Sequence, residues 1–258
     1  MIHGSGDSAS IDHARAAPMI DATTQVRRIG MLVPSSNSIA EPLTTEMLRG
    51  LPDVTLHIAR FRVTRLDQSP EALAQFQLAP ILEAASMLRD AHMHAICLNA
   101  TAACYTSMSH DRALVEALGP ASDTAMLSLL RLLHARGAKR IGLVTPFLHD
   151  VQDATIRVLA EEGITTAAEF HFNDPGNFSF NRIPETAVAD ALRQVARTPG
   201  LDAIAVISTG LRGPRPAAQV EAETGIPILD TIATALHGAL LAAGVDPTRV
   251  RGWGSVFR

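Results

Sequence analysis

The sequence predicts an α/β protein of two pseudosymmetric lobes, each a mostly parallel sheet flanked by helices, with a ligand crevice between the lobes. Three observations carry that prediction. Short apolar runs alternate with longer amphipathic ones along most of the chain, the rhythm of strand–helix units joined by right-handed crossovers. Aromatic residues make up only 4% of the 258 positions, while Ala, Leu, Ile and Val dominate, which suits helices packed on buried parallel strands. The two halves also resemble each other. Arg28-Ile29-Gly30 with Pro34 returns as Arg140-Ile141-Gly142 with Pro146; Ala95-Ile96, then Ala100-Thr101, returns as Ala203-Ile204, then Ser208-Thr209. Two matches in the same order, both about 110 residues apart, indicate an internal duplication.

Residues 1–25 are Ser, Ala, Asp and His without an apolar period, and read as a disordered leader. Arg28–Val33 reads as a buried strand, and Pro34-Ser35-Ser36-Asn37 as a turn that caps a helix from about Ile39 to Arg49. A strand near Thr55–Phe61, a long helix over Glu71–Asp90 and a strand at Ala95–Asn99 follow. The second half brings a helix at Asp123–Arg136, a strand at Arg140–Thr145, a helix at Val151–Glu162 and a strand at Thr166–Phe172. It continues with a helix at Glu185–Ala196, a strand at Ala203–Ile207, a helix around Pro216–Thr224, a short strand at Ile228-Leu229 and a last Ala/Leu helix. The expected organisation is the leader, a first lobe of residues 26–120 completed by 226–258, and a second lobe of 121–225.

Composition narrows the function. A formal charge of -4 leaves no basic footprint for nucleic acid. No apolar stretch reaches the roughly 20 residues of a membrane span. Cys97 and Cys104 have no ligand spacing, which excludes a disulfide scaffold and a structural zinc site. With a start unlike a secretory signal, this predicts a cytoplasmic protein.

In open α/β sheets ligands bind beyond the carboxyl ends of the strands. The segments there are Pro34–Asn37, Ala100–Ala103, Pro146–His149 and Ser208–Leu211, each leading towards a helix whose free N–H groups suit an anion. Thr101 and Thr209 either cap those helices or bond a ligand oxygen. Asn37 and Asn177 serve either turn geometry or a ligand.

RIGMLVPSSNSIAEP, TPFLHDVQDA and DAIAVISTGLRG resemble the maleate isomerase and arylmalonate decarboxylase branch of the aspartate/glutamate racemase superfamily. The resemblance spans about Arg27 to Gly244. It implies two pseudosymmetric α/β lobes, no cofactor and no metal, and a homo-oligomer. A small carboxylate or amide would bind between the lobes and react through a carbanion, an enolate or a covalent cysteine adduct. The family's two cysteines fall at Ala100 and Ser208, and neither is cysteine. Its common tyrosine falls at Phe147, and the serine of the decarboxylase carboxylate pocket at Ala102. Asn37, Thr101 and Asn177 (in GNFSFNR, where relatives have an Asn followed by a Gly-Arg pair) match. Pro34, Ser35, Gly210 and Leu211 join them as expected binding residues in the strand-end loops.

The catalytic candidates are Ser208, Cys104 and His149. Cys104, one helical turn beyond Ala100, would point back to the crevice as a thiol acidified by a helix N-terminus, or else be a core residue. His149 would be the general base for Ser208. Cys97 reads as buried, His110 and His171 as weaker candidates, and His237 as a core or interface residue. Asp150 and Asp153 read as cap or surface groups, and Arg212 and Arg215, just past the second loop, either attract a carboxylate or are surface arginines. The expected function is a cofactor-independent isomerase, racemase or decarboxylase of a small carboxylate with a non-standard catalytic set. The alternatives are a non-catalytic carboxylate-binding relative and a Ser208-dependent hydrolase.

Overall fold

The computed structural model describes residues 26–258, so the leader expectation lies outside the described residues. Eight strands form two four-stranded parallel sheets. In the first, β1 (Arg27–Pro34), β2 (Val54–Phe61), β3 (Ala95–Leu98) and β4 (Ser122–Thr124) lie in the order β2-β1-β3-β4. In the second, β5 (Arg140–Thr145), β6 (Thr165–His171), β7 (Ala203–Val206) and β8 (Ile228–Asp230) repeat that order as β6-β5-β7-β8. The duplication inferred from two short matches is therefore a duplication of whole sheets.

The helices between strands are α1 (Ala40–Met47), α2 (Pro70–Ala74), α3 (Leu78–Asp90), α4 (Met108–Leu118), α5 (Ala125–Ala135), α6 (His149–Glu161), α7 (Glu185–Ala196), α8 (Pro214–Thr224) and α9 (Thr231–Ala242). Close helix–sheet approach recurs at matching points of the two central strands. A Cβ on Gly30 would crowd Leu88 of α3, and one on Gly142 would collide with Val195 of α7. Only glycine admits both approaches. All four residues of β3 and of β7 are buried, as expected of parallel strands covered on both faces. No described helix is long and apolar enough to cross a membrane.

The structure corrects three element assignments. The helix expected over 71–90 is two, because the chain turns at Gln75–Gln77 and tucks Phe76 inward; Ser69 caps the first with Pro70 following, a strong helix start. The helix expected directly after Ala100–Ala103 starts later: a short 3-10 turn at Ala102–Cys104 comes first, and α4, capped by Ser107, begins at Met108. Residues 122–124 form a fourth strand before α5 rather than the first turn of a helix. The lobe boundaries at 121 and 226 therefore fall just before a strand in each case: 122–124 pair in the first sheet and 228–230 in the second. Helix α9 leaves the second sheet and packs on β3 and β4 of the first, where the Cys97 thiol donates to the Ala235 carbonyl at 3.3 Å.

Candidate active site

The carboxyl ends of β1 and β3 meet those of β5 and β7. The loops that follow line a small cavity that opens to solvent. Ala100 and Ser208 line it together, as do Pro34, Asn37, Thr101, Ala102, Asn177, Thr209 and Gly210. Val63, Leu66, Phe76 and Phe180 add an apolar wall, and Asn181 completes the lining.

Cross-lobe hydrogen bonds fix this junction. Asn37 Nδ2 donates to the Thr209 carbonyl at 2.8 Å and to Thr209 Oγ1 at 3.1 Å. Its Oδ1 accepts from the N–H groups of Ile39 and Ala40, at the start of α1, at 2.9 and 3.0 Å. Thr209 Oγ1 donates in turn to the Asn99 carbonyl at 3.2 Å. Asn177 Nδ2 donates to Ser36 Oγ at 2.6 Å, and Asn181 Nδ2 to the Ser36 carbonyl at 3.0 Å. Asn37 and Thr209 thus direct their polar atoms to the protein, one as helix cap and strut, the other as a link between lobes.

What remains for a ligand is specific. Thr101 Oγ1 has no hydrogen-bond partner among the described residues, and neither do the main-chain N–H groups of Ala100, Thr101 and Thr209. The Ser208 N–H is engaged by Thr231 Oγ1 at 3.1 Å. Ser208 Oγ accepts from the Gly210 N–H at 3.2 Å, which polarises the hydroxyl towards proton release. None of the described residues lining the cavity is ionisable. The polar atoms left free there are neutral donors, and away from bulk water each bond they form counts for more.

A family model described as arylmalonate decarboxylase matches residues 29–257. The chain belongs to the arylmalonate decarboxylase family. Among curated proteins, a maleate isomerase of Nocardia farcinica is 28% identical over 247 residues, covering 90% of this chain and 96% of that protein. An arylmalonate decarboxylase of Bordetella bronchiseptica is 25% identical over 146 residues, 56% of this chain and 61% of the other. Among solved structures, a cysteine-to-serine mutant of the Nocardia farcinica maleate cis-trans isomerase, with a covalently bound succinylcysteine intermediate, has a TM-score of 0.79 at 24% identity. The match covers 90% of this chain and 98% of that one. The two-lobe architecture is the fold of this family.

Two catalytic candidates do not reach the cavity. Cys104 is wholly buried, its thiol 3.7 Å from Thr155 Oγ1 of α6, and burial pushes its pKa up to about 12. A thiol sealed between the lobes with no cation beside it is a packing residue. His149 opens α6 and projects into solvent, 77% of its side chain exposed, where it pairs with Asp153 at 3.7 Å. His149 is therefore not placed to serve Ser208 as the base that the hydrolase alternative names.

Three expected binding residues stand behind the walls. Ser35 Oγ is used by the main chain of Val63, and Leu211 is buried in the second lobe's core. Phe147 packs edge-on against Phe180, ring centres 6.1 Å apart, and so supports the lining without forming it. Arg215 is tied to Glu46 and Glu185, and neither it nor Arg212 lines the cavity.

The sequence reading overlooked Val63, Leu66, Phe76, Phe180 and Asn181, all on connections rather than strand ends. The only signal for Asn181 was its place in GNFSFNR, the segment that the resemblance had marked for Asn177. Asp230 was also overlooked. It closes β8 and caps α9 through Oδ1, with Oδ2 buried and unpartnered, and burial raises its pKa to about 8.

Proposed function

We propose that this chain is a cofactor-independent decarboxylase of a small malonate-type acid, with Ser208 as the proton donor. Family membership supports an enzyme of the isomerase or decarboxylase kind. The observation that carries the finer reading is the cavity wall: neutral donors and apolar groups, a hydroxyl at Ser208, a methyl at Ala100, and no ionisable side chain among the described residues. Loss of carbon dioxide needs no base. The bond from the α-carbon to the leaving carboxylate breaks, and its electron pair passes into an enediolate on the retained carboxylate. Thr101 Oγ1 and the Thr209 N–H suit that developing charge. The leaving carboxylate would face Leu66, Phe76 and Val63, where it is poorly solvated until it becomes neutral. Ser208 then passes its proton to the α-carbon and takes another from water. With a hydroxyl on one side and only Ala100 on the other, protonation comes from one face.

Isomerisation through a cysteine adduct, as in the neighbour carrying succinylcysteine, is disfavoured because both thiols of this chain are buried away from the cavity. The lack of any ionisable wall residue also favours a second reading, a carboxylate-binding protein without turnover. Two unpaired cysteines suit the reducing cytoplasm as its setting.

Carbon dioxide release from methylphenylmalonate separates the readings. The decarboxylase predicts turnover to one enantiomer of 2-phenylpropionate, slowed roughly 10²- to 10⁴-fold in Ser208→Ala. Ser208→Cys should be faster than the parent, since a thiol of ordinary pKa about 8.5 is the better acid. Tight binding with no carbon dioxide from the parent or from Ser208→Cys would leave the binding protein.

A further inference from the structure

Asn181 is 6% exposed and lines the cavity. Its Nδ2 donates to the Ser36 carbonyl, an oxygen that can only accept, so the orientation of the amide is fixed. Oδ1 is consequently the atom left over, buried and without a hydrogen-bond partner among the described residues. It lies 3.6 Å from the point a Cβ on Gly210 would occupy, and Ser208 Oγ lies 3.5 Å from the same point. The two oxygens thus flank one small space above Gly210, beside the hydroxyl assigned to proton transfer.

A buried carbonyl oxygen without a donor is costly, and a bound molecule that supplies one recovers that cost. A carboxylate would be repelled there, since it brings only lone pairs. An ammonium would enter without a counter-ion, because no ionisable side chain lines the cavity among the described residues. We infer that the ligand carries, beside its carboxylate, a neutral hydrogen-bond donor, a hydroxyl or an amide N–H, which Asn181 Oδ1 accepts. Asn181 is then a specificity-determining residue, favouring hydroxy- or acylamino-substituted acids over alkyl ones of the same shape. The inference rests on the reading of the cavity as a carboxylate site and narrows its substrate class.

Product-shaped monoacids, which have no carbon dioxide to lose, test it by titration calorimetry. Glycolate is matched with propionate, and N-acetylglycinate with 4-methylpentanoate. The hydroxyl pair and the amide pair distinguish the two sources of the donor. In the parent protein the donor-bearing member of at least one pair should bind on the order of 10-fold to 100-fold more tightly. Asn181→Gly should bring that pair to within about threefold. Gly210→Ala, whose methyl makes ordinary contacts of 3.4–3.6 Å and fills the donor's place, should erase the same preference without disturbing the Asn181 turn. Alkyl acids that bind as well as their partners in the parent overturn the inference and leave the carboxylate reading standing. A preference that survives both substitutions also overturns it. If none of the four acids binds, the carboxylate reading falls and this inference with it.

Discussion

Replacing Asn37 by alanine should unfold the junction between the lobes before it touches chemistry. Four hydrogen bonds at 2.8–3.1 Å end on this buried side chain, two at the start of α1 and two on Thr209. Losing the cap costs about 1 kcal/mol. Leaving the buried Thr209 carbonyl without its donor costs about 1–3 kcal/mol more. The sum, roughly 2–4 kcal/mol, corresponds to a fall in Tm of about 5–15 °C for a domain of this size. Asn37→Ser keeps an acceptor for the first turn of α1 but cannot reach Thr209, so it should recover about 1 kcal/mol of the loss. Urea unfolding followed by circular dichroism reads both variants. If Asn37→Ala unfolds within about 0.5 kcal/mol of the parent but no longer binds carboxylates, the side chain serves the ligand and the reasoning fails.

Asp230 gives a pH signature. Burial raises its pKa in the folded chain to about 8 from an ordinary 3.8, so folding favours the neutral acid. That contribution is complete below pH 4 and is lost as the pH rises to 8, on the order of 5 kcal/mol. Asp230→Asn keeps the cap on α9 and should remove this slope; equal slopes in parent and variant would contradict the assignment. Cys104→Ala should cost about 1 kcal/mol in stability with turnover unchanged, and a lost activity would return the thiol to the mechanism. His149→Ala, at an exposed position, should change both stability and turnover little, within about 0.5 kcal/mol, and a slowed reaction would revive a serine–histidine pair.

Much of the fold was legible because it is written in local pattern. The Arg-Ile-Gly matches mark the central strands β1 and β5, whose glycines admit helices α3 and α7, and the Ala-Ile matches mark β3 and β7 beside them. Strand β4 was not legible, since Ser122-Asp123-Thr124 is short and polar and becomes a strand only by pairing with β3. Its counterpart ends at Asp230, which pairs with Val206 as Thr124 pairs with Leu98, so each fourth strand ends on the residue that caps the next helix, a correspondence that is clear only once the sheets are seen.

The strand-end residues of the site, Ala100, Thr101, Ser208 and Thr209, followed from topology. The roles of single side chains did not. Cys104 lies one turn from the cavity yet faces Thr155, and Asn37 lines the cavity yet spends its polar atoms on Ile39, Ala40 and Thr209. Which way a side chain turns at a lobe junction depends on the other lobe, and spacing along the chain does not carry that.

The most direct test is a crystal structure of the Ser208→Ala protein grown with methylphenylmalonate. One carboxylate should lie between the Ala100 and Ser208 loops, within hydrogen-bond distance of Thr101 Oγ1 and the Thr209 N–H, and the other against Leu66 and Phe76. A ligand seated elsewhere, for instance on Arg215, or an empty cavity at saturating concentration would contradict the account.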